Sequence, residues 1–309
     1  MSLKRIIPTF SCLFTLAVMA AFWGNISVAY SREDDAIVKQ KATCATRYTP
    51  FNVLVLDQNP PFSWAKTAEG EGKYTYYGIG ISVLEELFKE ANIPPDAYRI
   101  KHVESREDLE YQTWHRAVDT SIGVQYYPKL DSNVRDKFLH PAYMSNPIVA
   151  IFAKGKEKKK LKSSTDLFGL TGIYIESDHL DFLFPRELYI TSVSTVREAF
   201  EKLIRQEVDY VLMGFYTATM EAKKFKVEDK IVISETVLRR VENFLTLNRE
   251  RPCGVFDTDF DAKLKEITSD KVKMQNMLYI AYKDYDEQTK NFPALKVEPP
   301  KEPEAYEDF

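Results

Sequence analysis

The chain has 309 residues, 42 Lys+Arg against 46 Asp+Glu for a formal net charge of -4, with 44% hydrophobic and 28% charged residues. That composition is globular, long enough for two lobes with cores of their own, and not that of a fibre or a disordered protein. With no basic excess to neutralise a phosphate backbone, no nucleic-acid partner is expected.

The first 31 residues differ from the rest. Lys4 and Arg5 precede an apolar run from Ile6 to Trp23, and Ser27-Val28-Ala29 supplies the small residues of a signal-peptidase site. The reading is a secretory signal over 1–31 and a periplasmic location; the alternative is an uncleaved anchor, since the run nears bilayer-spanning length. Removing the signal leaves Cys44 and Cys253 in a compartment that permits disulfides. An even pair predicts one bridge, with two free thiols as the alternative.

Val53-Leu54-Val55-Leu56 is a short apolar run closed by Asp57-Gln58-Asn59-Pro60-Pro61, as a buried parallel strand ending in a loop would be. From Ile79 to Ala91, apolar residues at 79, 83, 84, 87, 88 and 91 form one helical stripe. Tyr98 to Val103 reads as a second strand. Ser105, with Asp108 three residues on, caps a helix to about Ala117, and Thr120 to Val124 is a third strand. The order β-α-β-α-β predicts a parallel sheet, and ligands of open α/β sheets bind beyond the carboxyl ends of the strands.

Pro147 to Ala153 is the next apolar strand, followed by a lysine-rich surface loop from Lys154 to Lys162. A second series then begins: a strand over Gly172 to Ile175, a short helix with Ser177 or Asp178 as cap, and an amphipathic helix boxed by Thr195 and Glu198. That helix leads into Val208-Asp209 and an apolar strand, as an earlier helix leads into Val118-Asp119. The shared plan implies two similar lobes. Ile231 to Ile233 and Phe244 to Leu247 supply further strands, a long helical pattern spans Asp261 to Lys283, and the proline- and glutamate-rich tail over 291–309 is expected to be disordered.

The order of these segments, with Phe138-Leu139-His140-Pro141-Ala142-Tyr143 before a strand and Val-Asp before two others, resembles the family 3 extracellular solute-binding proteins from about Tyr48 to Tyr285. The resemblance implies an α/β, two-lobed type II periplasmic-binding-protein fold, with lobe 1 over 48–147 plus 243–290 and lobe 2 over 148–242. Two crossing segments would form the hinge, and a small-molecule solute would sit in the interlobe cleft. It further implies a monomer without cofactor or metal, delivering its solute to a membrane transporter of the ABC type.

Amino-acid-binding members hold the ligand carboxylate with an arginine after the third strand. Here that stretch is Tyr127-Pro128-Lys129-Leu130-Asp131-Ser132, without arginine, and lysine lacks the planar fork that grips a carboxylate. The acid that holds the ammonium is matched by about Gly214. What remains around the expected cleft is Asp57, Asn59, Trp64, Tyr77, Gln125, Tyr126, Ser177, Asp178 and Tyr216. This aromatic and acidic set suits a neutral polar or cationic solute, because rings and carboxylates attract positive charge.

Other chemistry finds less support. Gly78-Ile79-Gly80 has Val83 where a dinucleotide fingerprint needs glycine, so the glycines are read as packing devices. Asp257, Asp259 and Asp261 alternate like a calcium loop but lack its glycine and final glutamate, and the four histidines have no paired spacing. Two other functional readings stay open: an accessory protein that docks on another periplasmic protein, and a dehydratase-like enzyme on the same fold using Asp57, Asp178, Glu176 or His179 as acid or base.

Overall fold

The computed structural model describes residues 41, 43–67, 73–115, 118–125, 137–158 and 161–298. Residues 1–31, where a leader is expected, and Tyr126 lie outside the described residues, as do the arginine-less stretch at 127–132 and the end of the tail. No described helix is long and apolar enough to cross a membrane.

The first strand, β1 (Phe51–Leu56), is buried at every position but Asn52, which is why its apolar run is continuous rather than alternating. A hairpin of β2 (Trp64–Thr67) and β3 (Tyr74–Tyr77) follows. Next come α1 (Ile79–Glu90), β4 (Tyr98–Val103), α2 (Arg106–Trp114) and β5 (Thr120–Gln125). β1 lies between β4 and β5, parallel to both. The predicted apolar stripe of α1 at Ile79, Val83, Leu84, Leu87 and Phe88 is buried, in one core with Phe51, Val53 and Val55. Gly78 stands before this helix at φ 114°, where a Cβ would come 2.5 Å from the Phe62 carbonyl oxygen, and a Cβ on Gly80 would come 2.4 Å from Ile122. Both glycines therefore serve close approach.

After β6 (Met144–Ala153) the same arrangement is built again. β7 (Gly172–Ile175) lies between β8 (Ile190–Val193) and β9 (Tyr210–Gly214), parallel to both. α3 (Val196–Ile204) and α4 (Phe215–Phe225) pack Ala199, Phe200, Leu203, Ala218, Ala222 and Phe225 on Ile173, Val211 and Met213 as a second core. The two Val-Asp motifs have one structural job. The Asp119 N–H donates to the Asn52 carbonyl at 2.9 Å while its Oδ2 accepts from the Asn52 N–H at 2.8 Å. In the second series, the Asp209 N–H donates to the Thr171 carbonyl at 2.8 Å while its Oδ2 accepts from the Thr171 N–H at 2.7 Å. Each aspartate thus fixes the start of one central strand against its neighbour.

Strands β6 and β11 (Arg239–Leu247) join the two halves into one sheet of order β4-β1-β5-β11-β6-β9-β7-β8, with β10 (Ile231–Ile233) on β6. β11 pairs with β6 through Arg239 to Asn243 and with β5 through Asn243 to Leu247. The helical pattern after Phe256 is broken in two: α5 (Asp257–Ser269) ends at Asp270, whose side chain accepts from the Lys273 N–H to cap α6 (Lys271–Thr289). An aspartate that offers its own acceptor to a new first turn restarts the helix. Residues 292–297, in the segment assigned to the tail, are ordered against the second core, where Leu295 and Val297 are buried. Cys44 and Cys253 are joined in a disulfide, Cα to Cα 5.2 Å, tying the segment ahead of β1 to the turn after β11.

Candidate functional site

Because each half has a parallel triad with its first strand in the middle, the carboxyl ends of β1 and β7 are where connections leave in opposite directions and a crevice opens. The two ends converge on one cavity of about 250 Å³. Leu56, Asp57 and Asn59 line it from the β1 side, Ile175, Ser177 and Asp178 from the β7 side, and the first turns of α3 and α4 close it through Arg197 and Thr217.

Asp57 Oδ1 accepts from the N–H groups of Gln58 and Ala65, both at 2.7 Å, which fixes the loop after β1 and leaves Oδ2 without a partner among the described residues. Asn59 is held by its backbone, which bonds Ser63 in a tight bridge, while its side-chain Nδ2 is buried without an acceptor. A buried amide donor left unpaired costs free energy.

Across the cavity, Arg106 is 1% exposed. Its Nε donates to the Ser177 carbonyl at 2.6 Å and its NH1 to the Gly123 carbonyl at 2.8 Å, so one guanidinium joins the end of β5 to the loop after β7. Beside it, Glu107 Oε1 meets His179 Nε2 at 2.9 Å, and on the opposite rim Thr217 Oγ1 donates to the Pro60 carbonyl at 2.8 Å. Three contacts therefore bridge the two walls.

Burial pushes the Asp178 carboxyl above its usual range, against the opposing pull of Arg106 and His179. The folded protein thus holds this proton more tightly than an unfolded chain, whose aspartates titrate near ~3.9. Ionising Asp178 therefore removes stability as pH rises from that value through the folded one. An ionised Asp178 facing the cavity is a cost that a bound cation would offset.

The lining carries four acids, Asp57, Glu104, Asp178 and Glu221, against Arg106, Arg197 and Lys224. Lys224 pairs with Glu221 at 2.9 Å, and Arg106 keeps its charge while bonded to carbonyls, so Asp57, Glu104 and Asp178 remain against Arg106 and Arg197. Arg197 lies over the Phe225 ring at 5.1 Å and reaches Glu201 at 3.8 Å. The balance of uncommitted charge is acidic.

The structure brings Asp57, Asn59, Ser177 and Asp178 together and puts Trp64, Tyr77, Gln125 and Tyr216 elsewhere, while Tyr126 lies outside the described residues. Trp64 is buried, stacked on Tyr77 at 5.7 Å, edge-on to Tyr285 at 5.3 Å, and donates Nε1–H to Gln288 at 3.0 Å. Tyr216 packs against the first core and accepts on its carbonyl from Tyr282, and Gln125 is buried at the end of β5 opposite Asn243. None of these four lines the cavity. Large rings find more apolar contact between elements than in a polar cleft. Gly214 has no room for an acid: a Cβ there would lie 2.2 Å from Asn146 Nδ2. The residue that sequence reasoning missed is Arg106. Its signal was present, since a basic side chain in the first turn of a capped helix opposes the helix dipole and needs another reason to be there.

Neither a protein-family model nor any curated protein matches the sequence. Solved structures do match in shape. The amino acid ABC transporter substrate-binding protein AbpA from Streptococcus pneumoniae, bound to L-arginine, superposes with a TM-score of 0.58 at 12% identity, covering 76% of this chain and 95% of that one. The periplasmic VFT2 domain of Bordetella pertussis BvgS gives 0.57 at 16% identity, with coverage of 81% and 97%. The GluR0 ligand-binding core from Nostoc punctiforme, in complex with L-glutamate, gives 0.52 at 14% identity, with coverage of 78% and 99%. The chain has the two-lobed fold of periplasmic binding proteins. At these identities the likeness establishes the architecture.

Proposed function

We propose that this is an exported, non-enzymatic solute-binding protein that captures a small polar or cationic solute between lobe 1 (48–147 plus 243–290) and lobe 2 (148–242). The observation that carries this reading is the convergence of the β1 and β7 carboxyl ends on a polar cavity whose uncommitted charge is acidic. Its volume of about 250 Å³ lies just below the usual range of ligand sites, about 300 to 1,000 Å³, so the solute is small. Asp57 and Asp178 attract its positive charge, and the Asn59 amide donates to an oxygen. Delivery to an ABC-type membrane transporter belongs to the same reading, as does a leader over 1–31. A polar cleft favours solute capture over an accessory docking role, which would leave the cleft filled.

A thermal-shift screen of the exported protein against amines, guanidinium compounds, amino acids, sugars and small carboxylates tests it. Binding to the native state alone contributes about 2.7 kcal/mol at a hundred times Kd, which for a chain of this size raises Tm by about 4–5 °C. A saturable shift with cationic or neutral polar compounds is expected. A shift confined to small carboxylates would overturn the charge class, and no shift with any class would favour the docking role instead.

A further inference from the structure

The chain passes between the lobes a third time. Helix α6 starts in lobe 1, where Met277 joins the first core, and runs onto α4 of lobe 2. Midway, Ala281 and Tyr285 close an apolar cluster with Trp64 from the lobe 1 hairpin and Met220 from α4. The Tyr285 hydroxyl donates to Glu221, and Lys223 meets Asp286 at 2.7 Å. Beyond the helix, Leu295 and Val297, 3% and 4% exposed, enter the second core with Phe292 packed beside them. There the Leu295 N–H donates to the Phe225 carbonyl and Lys230 Nζ to the Val297 carbonyl, both at 2.9 Å.

We propose that residues 271–297 are a strap that holds the lobes closed over the cleft, so that opening requires Leu295 and Val297 to leave lobe 2. Two strand crossings bend easily, because a hinge needs only a few residues to change their dihedral angles. A helix is stiff, and one anchored in both cores resists the same motion. Of the lobe 2 anchors, Glu221 and Phe225 also line the cavity, and Met220, Lys223 and Lys230 do not. The strap rests on the two-lobed fold and not on the identity of any solute.

The test is the interlobe distance measured by electron-spin pulse spectroscopy with labels on the exposed residues Lys101 of lobe 1 and Arg205 of lobe 2. The full-length chain is expected to give one narrow distribution, and Leu295→Ser with Val297→Ser a longer and broader one. Val227→Ala, which removes packing from the same core at a residue outside the strap, is expected to leave the distribution narrow. Leu295→Ala alone serves if the double variant does not fold. An unchanged distribution on loss of Leu295 and Val297, or equal broadening in the Val227 variant, would overturn the proposal. No solute enters this readout, so a failed solute screen leaves it intact.

Discussion

Replacing Arg106 with methionine is expected to lower the stability of the folded chain by about 2–4 kcal/mol. Two hydrogen bonds from a charged donor, at about 1.5–3 kcal/mol each, are lost with the Gly123 and Ser177 carbonyls left behind. The desolvation that the guanidinium no longer suffers returns part of this. Lysine should not restore it, because an ammonium lacks the planar fork that reaches two carbonyls at once. The variant should also push the Asp178 carboxyl further up, since the strongest pull opposing its burial is gone. Denaturant midpoints for the three chains, together with the Asp178 titration followed by carbon NMR, check both parts. Wild-type stability in the methionine variant would mean that Arg106 does not join the walls of the cleft in solution.

Removing the disulfide is the second large effect. Cys44 and Cys253 are separated by 209 residues, and a loop of that length gives about 5 kcal/mol in the chain-entropy model, with native bridges typically contributing about 2–5. The bridge also seats the segment ahead of β1 against Phe256 and Phe260, which share its core. Cys44→Ser with Cys253→Ser should therefore destabilise lobe 1, where both residues pack, by about 2–5 kcal/mol in a reversible denaturant titration. Equal midpoints for the oxidised wild type and the double variant would show that the bridge adds nothing to the folded state.

The parts of this fold that were legible in the sequence are those where one physical signal acts alone. The α1 stripe was readable because burial on one side imposes a period, the β1 run because burial on both faces leaves it continuously apolar, and the two Val-Asp motifs because each aspartate must meet a particular pair of backbone groups. The β2–β3 hairpin was not readable, as four-residue strands with polar outer faces carry too few apolar positions to show alternation. The break between α5 and α6 was hidden because Leu264, Ile267, Met277 and Ala281 keep helical spacing through Asp270, a residue that is both a tolerable helix member and a good cap. Leu295 and Val297 were hidden by the prolines and glutamates around them: composition described the segment, while two side chains decide its place. Around the cavity, the loop acids Asp57 and Asp178 were placed from topology, but Trp64 was assigned to the cleft by sequence proximity alone. Its ring is instead buried against Tyr77 and Tyr285.

The central claim, that acids at the ends of β1 and β7 hold a cationic solute, is tested most directly by calorimetric titration of the best amine or guanidinium compound from the screen into wild type and Asp178→Asn. The substitution should weaken binding at least about tenfold, since a charge-assisted contact contributes about 1.5–3 kcal/mol. Wild-type affinity should also fall as pH is lowered through the raised Asp178 range, because protonation removes the charge the cation needs. The asparagine variant should lack that dependence. Equal affinities for the two chains, with the same pH profile, would contradict the account and move the binding site away from this cleft wall.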